Sequence, residues 1–343
     1  MIESKHATIS VALRVFNSAR YIGEQLESIL AQSVIPDEIV IGDDGSTDST
    51  ADIIRMISEA AGFTHPDIKW VILPSTHIGI GANIERTMAA CTGDIIVVCD
   101  HDDRSRPDRF ERLRAEFERR PSICFIHSEA ELIDSRGNSM AARLTPTQLF
   151  SRWEQRRYRD GDAFEVLVRR NIVTGATSAL RRELLGRARP FPTTWVYDEW
   201  LGIVAAAECG LDIIDDPLLD YRQHSSNKSG VRKRGFSEKM RMLRKSGGAR
   251  NARQLARATV LIEKIEQLGS TVPVRYLELA KEKVRHETMR SRMPRNRILR
   301  AFPVLREAAR GAYTSSGRGK KDILLDLVQP LGRLSASVKR GSS

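Results

Sequence analysis

The chain has no apolar run approaching the roughly 20 residues that a membrane-spanning helix needs. Its first residues, Met1 to His6, lack the pattern of a signal peptide. Cysteine is sparse. Cys91, Cys99, Cys124 and Cys209 show no close paired spacing, and three of them lie in or beside apolar stretches. That pattern predicts reduced core thiols in a cytosolic protein. No internal repeat is present. Aromatic residues are only 6% of the chain, and the basic C-terminal part spaces Phe236, Tyr276, Phe302 and Tyr313 far apart. Nucleic-acid binding through stacked bases needs aromatics interleaved with the basic groups, so that reading has the charge but not the rings.

What the chain does have is length and an uneven charge. Its 343 residues, 41% of them hydrophobic, have room for one large α/β domain and a smaller helical part. Residues 226–343 hold 29 lysines and arginines against 9 acids, a net +20. Out of totals of 55 and 44, that leaves 26 against 35, or −9, for residues 1–225. The expected division is therefore an acidic domain over 1–227 and a basic helical region over 228–343.

Apolar, β-rich runs at 9–13, 38–42, 68–73 and 95–99 alternate with helical patterns at 18–32, from 50 to about 61, and up to about 91. This rhythm predicts βαβ units and a mostly parallel sheet flanked by helices. A helix after Pro107, a short strand at 123–127, a sheet-like stretch at 172–180, a helix from Trp195 to about Cys209 and strands at 213–214 and 218–222 continue it. Residues 134–162, polar and Arg-rich, read as an insertion or flexible loop.

The run Ile95 to Cys99 ends in Asp100-His101-Asp102-Asp103. Crowded carboxylates repel one another and are normally stabilised by a cation. Oxygen ligands suit a hard divalent ion, Mg²⁺ or Mn²⁺. Ligands of open α/β sheets bind outside the carboxyl ends of the strands, where this cluster falls. A second acidic turn, Asp43-Asp44-Gly45-Ser46-Thr47-Asp48, follows the strand at 38–42.

Five ordered pieces resemble a family-2 glycosyltransferase of GT-A fold, across roughly residues 8–227. They are Phe16-Asn17; Asp43 to Asp48; Gly79 with Asn83; Gly93-Asp94 leading to Asp100-His101-Asp102-Asp103; and Asp198-Glu199-Trp200 followed by Gln223-His224. The resemblance implies inverting transfer of a hexosyl or deoxyhexosyl group from a nucleotide-diphosphate sugar to an acceptor hydroxyl. The acceptor would be a saccharide or lipid-linked saccharide, in surface polysaccharide or glycolipid synthesis. It implies Asp102, Asp100 and His224 as metal residues, with Asp103 in support. Phe16, Asn17, Asp43, Asp44, Asn83 and Asp100 would bind the nucleotide-sugar. Asp198 would be the general base, with Glu199 its competitor, and Trp200 would stack on the acceptor. Two helix-start carboxylates and a core tryptophan are the plain structural reading of that last motif. The chain departs from the family pattern at His101, where Gln is common, at Arg104 and at Arg14. These departures bear on donor identity more than on reaction type. A nucleotidyltransferase would also use a sheet-end metal site, but Leu13 to Asn17 lacks its Gly-rich phosphate loop.

In the basic part, amphipathic helices are expected at 250–266, 271–289 and 323–331. Clustered Lys and Arg are attracted to anionic lipid. The chain is thus expected to be cytoplasmic and peripheral on the inner face of the cell membrane, with no specific nucleic-acid partner and with self-association open. The alternative is that these helices pack as a structural element with their charged heads in water.

Overall fold

The computed structural model describes residues 6–75, 77–147, 150–224 and 247–331. Among the described residues, nine strands form a single sheet. They are β1 (Ile9–Val15), β2 (Glu38–Asp43), β3 (Lys69–Leu73), β4 (Ile95–Asp100), β5 (Arg104–Ser105), β6 (Phe125–Ile133), β7 (Ser139–Arg143), β8 (Ser178–Arg181) and β9 (Leu211–Arg222). The order is β3-β2-β1-β4-β8-β6-β9-β5, with β7 added on β6. The long pairings, β1 with β2 and β4, β2 with β3, and β6 with β9, are parallel. The short ones made by β8, β5 and β7 are antiparallel. The expected mostly parallel α/β sheet is present.

Helices before residue 209 are α1 (Ile22–Leu30), α2 (Thr50–Thr64), α3 (Ile80–Ala90), α4 (Arg109–Arg119), α5 (Leu144–Thr147), α6 (Arg152–Arg159), α7 (Ala163–Arg169), α8 (Glu183–Ala188) and α9 (Tyr197–Glu208). α1 buries Ile22, Leu26 and Ile29, one stripe at helical spacing. Those side chains meet Val11, Leu13, Val97 and Cys99 of the central strands in the main core. Strands buried on both faces read as continuous apolar runs, which is why β1, β2 and β4 stand out in the sequence.

Register brings the carboxyl ends of these strands together. Arg14 of β1 is level with Gly42 of β2 and Asp100 of β4, and Val15 with Asp43. The turns after all three therefore open on one edge.

Several expectations change. Residues 134–162 are not a plain loop: they hold β7 and α6. The latter is closed by a capping box between Ser151 and Glu154 and anchored by Tyr158, which meets His127 edge-on. Of the stretch 172–180 only the last three residues are strand, the start of β8. The two late strands are one, β9, because a register shift opposite Glu129 accommodates Pro217. Cys124 and Cys209 are joined in a disulfide, so only Cys91 and Cys99 are the buried free thiols expected. Cys124 directly precedes β6 and Cys209 caps α9; the two are 85 residues apart, and no local spacing connects them.

Among the described residues, 6–163 with 172–224 form one compact unit, and 164–171 with 247–331 form a second. The expected boundary at 227/228 lies outside the described residues. The second unit is helical: α10 (Gly247–Leu268), α11 (Val274–Ser291), α12 (Arg297–Ala309), α13 (Ala312–Ser315) and α14 (Lys320–Val328). Here α12 is new, and several charges lie inside rather than in water. Arg290 pairs with Asp326 at 2.7 Å and Glu287 at 3.0 Å, and Lys283 with Glu287 at 3.0 Å. Tyr313 donates to Asp326 at 2.8 Å. A buried charge must be paired to be tolerated, and these are. No described helix is long and apolar enough to cross a membrane.

Candidate active site

Asp100, Asp102 and Asp103 offer carboxylate oxygens that all lie within 4.8 Å of one another. Asp100 is the last residue of β4; Asp102 and Asp103 lie in the turn that leads to β5. Arg222, at the end of β9, fixes that turn. Its backbone N–H donates to Asp103 Oδ1 at 2.9 Å, and its Nε donates to the Asp102 carbonyl at 2.7 Å. Its guanidinium also pairs with Glu24 at 2.5 Å and lies over the Tyr21 ring.

The cluster is electrostatically crowded. Burial first, then the charges of Asp102 and Asp100, holds the Asp103 carboxyl well above the usual carboxylate range. Asp103 Oδ2 has no hydrogen-bond partner among the described residues. His224 Nε2 lies 2.8 Å from Asp102 Oδ2, with its ring stacked on Tyr21. Arg14 Nε lies 3.0 Å from Asp100 Oδ1, and this neighbour raises the Arg14 pKa further. Burial lowers the pKa of His101, against the charges of Asp102 and Asp100. Oxygen ligands with one imidazole, crowded enough to strain their own ionisation, fit a hard divalent cation.

The second acidic turn is tightly organised. Asp43 Oδ1 accepts from the Ser46 N–H and hydroxyl, and Oδ2 from Ser75. Asp44 Oδ1 accepts from the N–H groups of Ile78 and Gly79 at 2.7 and 2.9 Å. Asn17, at φ 46°, accepts from the Thr47 N–H and so ties the end of β1 to this turn. A left-handed backbone suits Asn better than most side chains. Phe16 is 42% exposed, its ring 5.7 Å from that of His77. Asn83 is buried, its amide spanning the Gly42 carbonyl and Arg86. Its contact with the turn is through the backbone of β2.

Asp198 and Glu199 lie in the first turn of α9. Asp198 accepts from the Gly175 N–H at 3.0 Å and from the Glu199 N–H at 2.7 Å. Burial, then the neighbouring Glu199 charge, pushes the Asp198 pKa up to about 7, against those two hydrogen bonds; the charge of Asp100 adds to the rise. Asp198 and the carboxylate cluster thus share one electrostatic neighbourhood. Tyr221 reports the same from β9: burial raises its pKa, and Asp103, Asp100, Asp102 and Asp198 all add to that. A Cβ on Gly175 would lie 1.9 Å from the Tyr197 hydroxyl, so glycine is what lets this turn approach α9.

Trp200 does not face this space. It is 2% exposed, and its indole N–H donates to the Ala188 carbonyl at 2.7 Å. A buried tryptophan with its one polar group satisfied is a core residue, and that corrects the expected acceptor stacking. Arg222, Tyr21, Gly175 and Tyr221 were not expected in the site. Their ring, backbone and charge contacts come from segments with no motif of their own.

The sequence model of glycosyl transferase family 2 matches residues 10–188. An uncharacterised glycosyltransferase of Nostoc sp. is 28% identical over 226 residues, 64% of this chain and 66% of that protein. A chondroitin synthase of Escherichia coli is 31% identical over 130 residues, 38% of this chain and 18% of that one. The chain thus spans from under a fifth to just under two thirds of these relatives. Among solved structures, TarS of S. aureus in complex with UDP-GlcNAc aligns with TM-score 0.55 at 15% identity, over 93% of this chain and 89% of that one. A mannosyltransferase of Pyrobaculum calidifontis in complex with GDP-Man and Mn²⁺ aligns with TM-score 0.50 at 19% identity, over 89% and 76%. Both share the GT-A arrangement of a mostly parallel sheet flanked by helices. With more than half of its length matched to the family's sequence model, this chain belongs to glycosyl transferase family 2.

Proposed function

We propose that the chain is an inverting, divalent-metal-dependent glycosyltransferase. It would move a hexosyl or deoxyhexosyl group from a nucleotide-diphosphate sugar to a hydroxyl of a saccharide or lipid-linked saccharide, in surface polysaccharide or glycolipid synthesis. The observation that carries the reading is Asp198: a carboxylate held at about 7, within electrostatic reach of a crowded carboxylate cluster. A general base works best with a pKa near the operating pH.

The acceptor hydroxyl must lose its proton as it attacks, and Asp198 takes it. One carboxylate is enough for a single displacement, so inversion follows. The Gly175 and Glu199 N–H groups fix the Asp198 oxygens against rotation. Glu199 beside it raises its basicity. Asp102, Asp100 and His224 are the residues that would hold Mg²⁺ or Mn²⁺, which supplies Lewis-acid stabilisation of the departing diphosphate. Burial and the charges of Asp102 and Asp100 disfavour ionisation of Asp103, which supports the turn through the Arg222 N–H. Arg14 orients Asp100. At the nucleotide end, Phe16 offers an open ring for a base, Asp43 and Asp44 shape the turn, and Asn17 and Asn83 hold it in place. In our reading the chain works at the cytoplasmic face of a membrane, with its basic C-terminal part toward anionic lipid.

A panel of nucleotide-sugars, assayed for nucleotide release with Mg²⁺, Mn²⁺ or chelator, tests this. We expect metal-dependent release from one donor, and loss of metal-dependent donor binding in Asp102→Ala. Turnover by Asp102→Ala at the wild-type rate with chelator present would remove the metal from the reading.

A further inference from the structure

α12 is turned inside out relative to an ordinary surface helix. Its inward side carries Arg300 and Glu307 beside Val304, all buried. Arg300 is satisfied there by the carbonyls of Asp326 and Gln329, each at 2.7 Å, and Glu307 by His286 at 3.2 Å. Its outward side carries Ile298, Leu299, Phe302 and Leu305, which are 83%, 63%, 73% and 61% exposed. At 100° per residue, Leu305, Ile298 and Phe302 fall on one stripe with Leu299 at its margin. A water-facing helix normally presents the reverse. The stripe is continuous, not a scatter of single apolar residues, which is the case that needs an occupant.

The charge around the stripe says what kind of occupant. Every charged residue between 292 and 310 is arginine except Glu307, which is buried. Arg292, Arg295, Arg297 and Arg306 are exposed, and none has an ion-pair partner among the described residues. A protein partner is bound through a mixed polar rim. An apolar stripe flanked only by cations matches the interface of an anionic bilayer, where the apolar side chains enter the acyl boundary and the guanidinium groups stay at phosphate level. On the neighbouring α14, Leu324 is 56% exposed in the same turn region as the exposed Lys320 and Lys321.

We infer that the outward face of α12 is a membrane-docking surface for anionic phospholipid. This deepens the membrane placement proposed above and rests on it. Placement by basic charge alone needs no particular helix; docking through α12 needs these four side chains.

The test is flotation of the full chain with vesicles of phosphatidylcholine alone and of phosphatidylcholine with phosphatidylglycerol, at low and high salt. The wild type should float with the anionic vesicles and not with the neutral ones. Phe302→Ser/Leu305→Ser should lose at least about tenfold in vesicle affinity, since each removes most of a buried apolar side chain from the interface. Arg297→Gln/Arg306→Gln should weaken binding and flatten its salt dependence. Circular dichroism and metal-dependent nucleotide release without vesicles should be unchanged in all of them, because the side chains are exposed. Salt-sensitive flotation that Phe302→Ser/Leu305→Ser leaves intact would overturn the docking surface and leave charge-driven placement standing. No flotation of the wild type would overturn both. A wild-type dimer in sedimentation velocity that Phe302→Ser/Leu305→Ser dissociates, without flotation, would assign the stripe to a second copy and overturn the lipid.

Discussion

Asp198→Asn should separate catalysis from stability in opposite directions. In the folded chain the carboxyl sits at about 7, against 3.8 for an ordinary aspartate. The folded state therefore binds more protons than the unfolded state between those values, and stability falls as pH rises through that window. About three units at 1.36 kcal/mol each put the full penalty near 4 kcal/mol above pH 7, an upper bound. Asn removes it, but turns one acceptor oxygen into an NH₂ group that faces a backbone N–H, from Gly175 or Glu199. That mismatch costs about 1–3 kcal/mol. The net expectation at pH 8 is a variant about 1–3 kcal/mol more stable than the wild type, with the gain gone by pH 4. Transfer by the same variant should drop about 10²–10⁴-fold, or roughly 3–5 kcal/mol of barrier. Wild-type kcat should fall about tenfold per pH unit below 7, as the base is lost. Urea unfolding at pH 4, 6 and 8, beside a pH–rate profile for both proteins, measures all three. Equal stability of the two proteins across that range would refute the burial argument. Full transfer by Asp198→Asn, with loss in Glu199→Gln, would move the base by one residue.

Two further outcomes follow from neighbouring geometry. Gly175→Ala should lower kcat with little change in donor affinity, because its Cβ collides with the Tyr197 hydroxyl and displaces the N–H that holds Asp198; donor titration by calorimetry beside steady-state kinetics checks the split, and unchanged kcat would show that this N–H does not position the base. Asp43→Ala and Asp44→Ala should weaken nucleotide-sugar binding, since each carboxylate accepts two or more hydrogen bonds that shape the turn; an unchanged dissociation constant in both would take the turn out of the site.

The sequence by itself determined what local pattern can carry. β1, β2 and β4 are apolar because both of their faces are covered, and β2 and β4 each end abruptly in an aspartate at the edge where the turns open. The run Asp100 to Asp103 points to a cation by its own crowding of carboxylates, a pattern legible without the rest of the chain. Tertiary structure decided everything that depends on a partner distant in sequence. Trp200 lies in the first turn of a late helix, in a pattern that suits either core or sugar stacking; the Ala188 carbonyl twelve residues earlier makes it core. Asp198, the base in our reading, is pushed to about 7 by burial first, and its carboxylate accepts from a backbone N–H on a turn 23 residues away. Cys124 and Cys209 meet only because β6 and α9 do. In α12 the apolar residues have the spacing of a core stripe, yet Asp326 of α14, Gln329 just after it and His286 of α11 turn the charged side inward. A periodicity shows that a helix has two faces. Which face is buried depends on the hydrogen bonds and charges waiting on the other side, and those lie elsewhere in the chain.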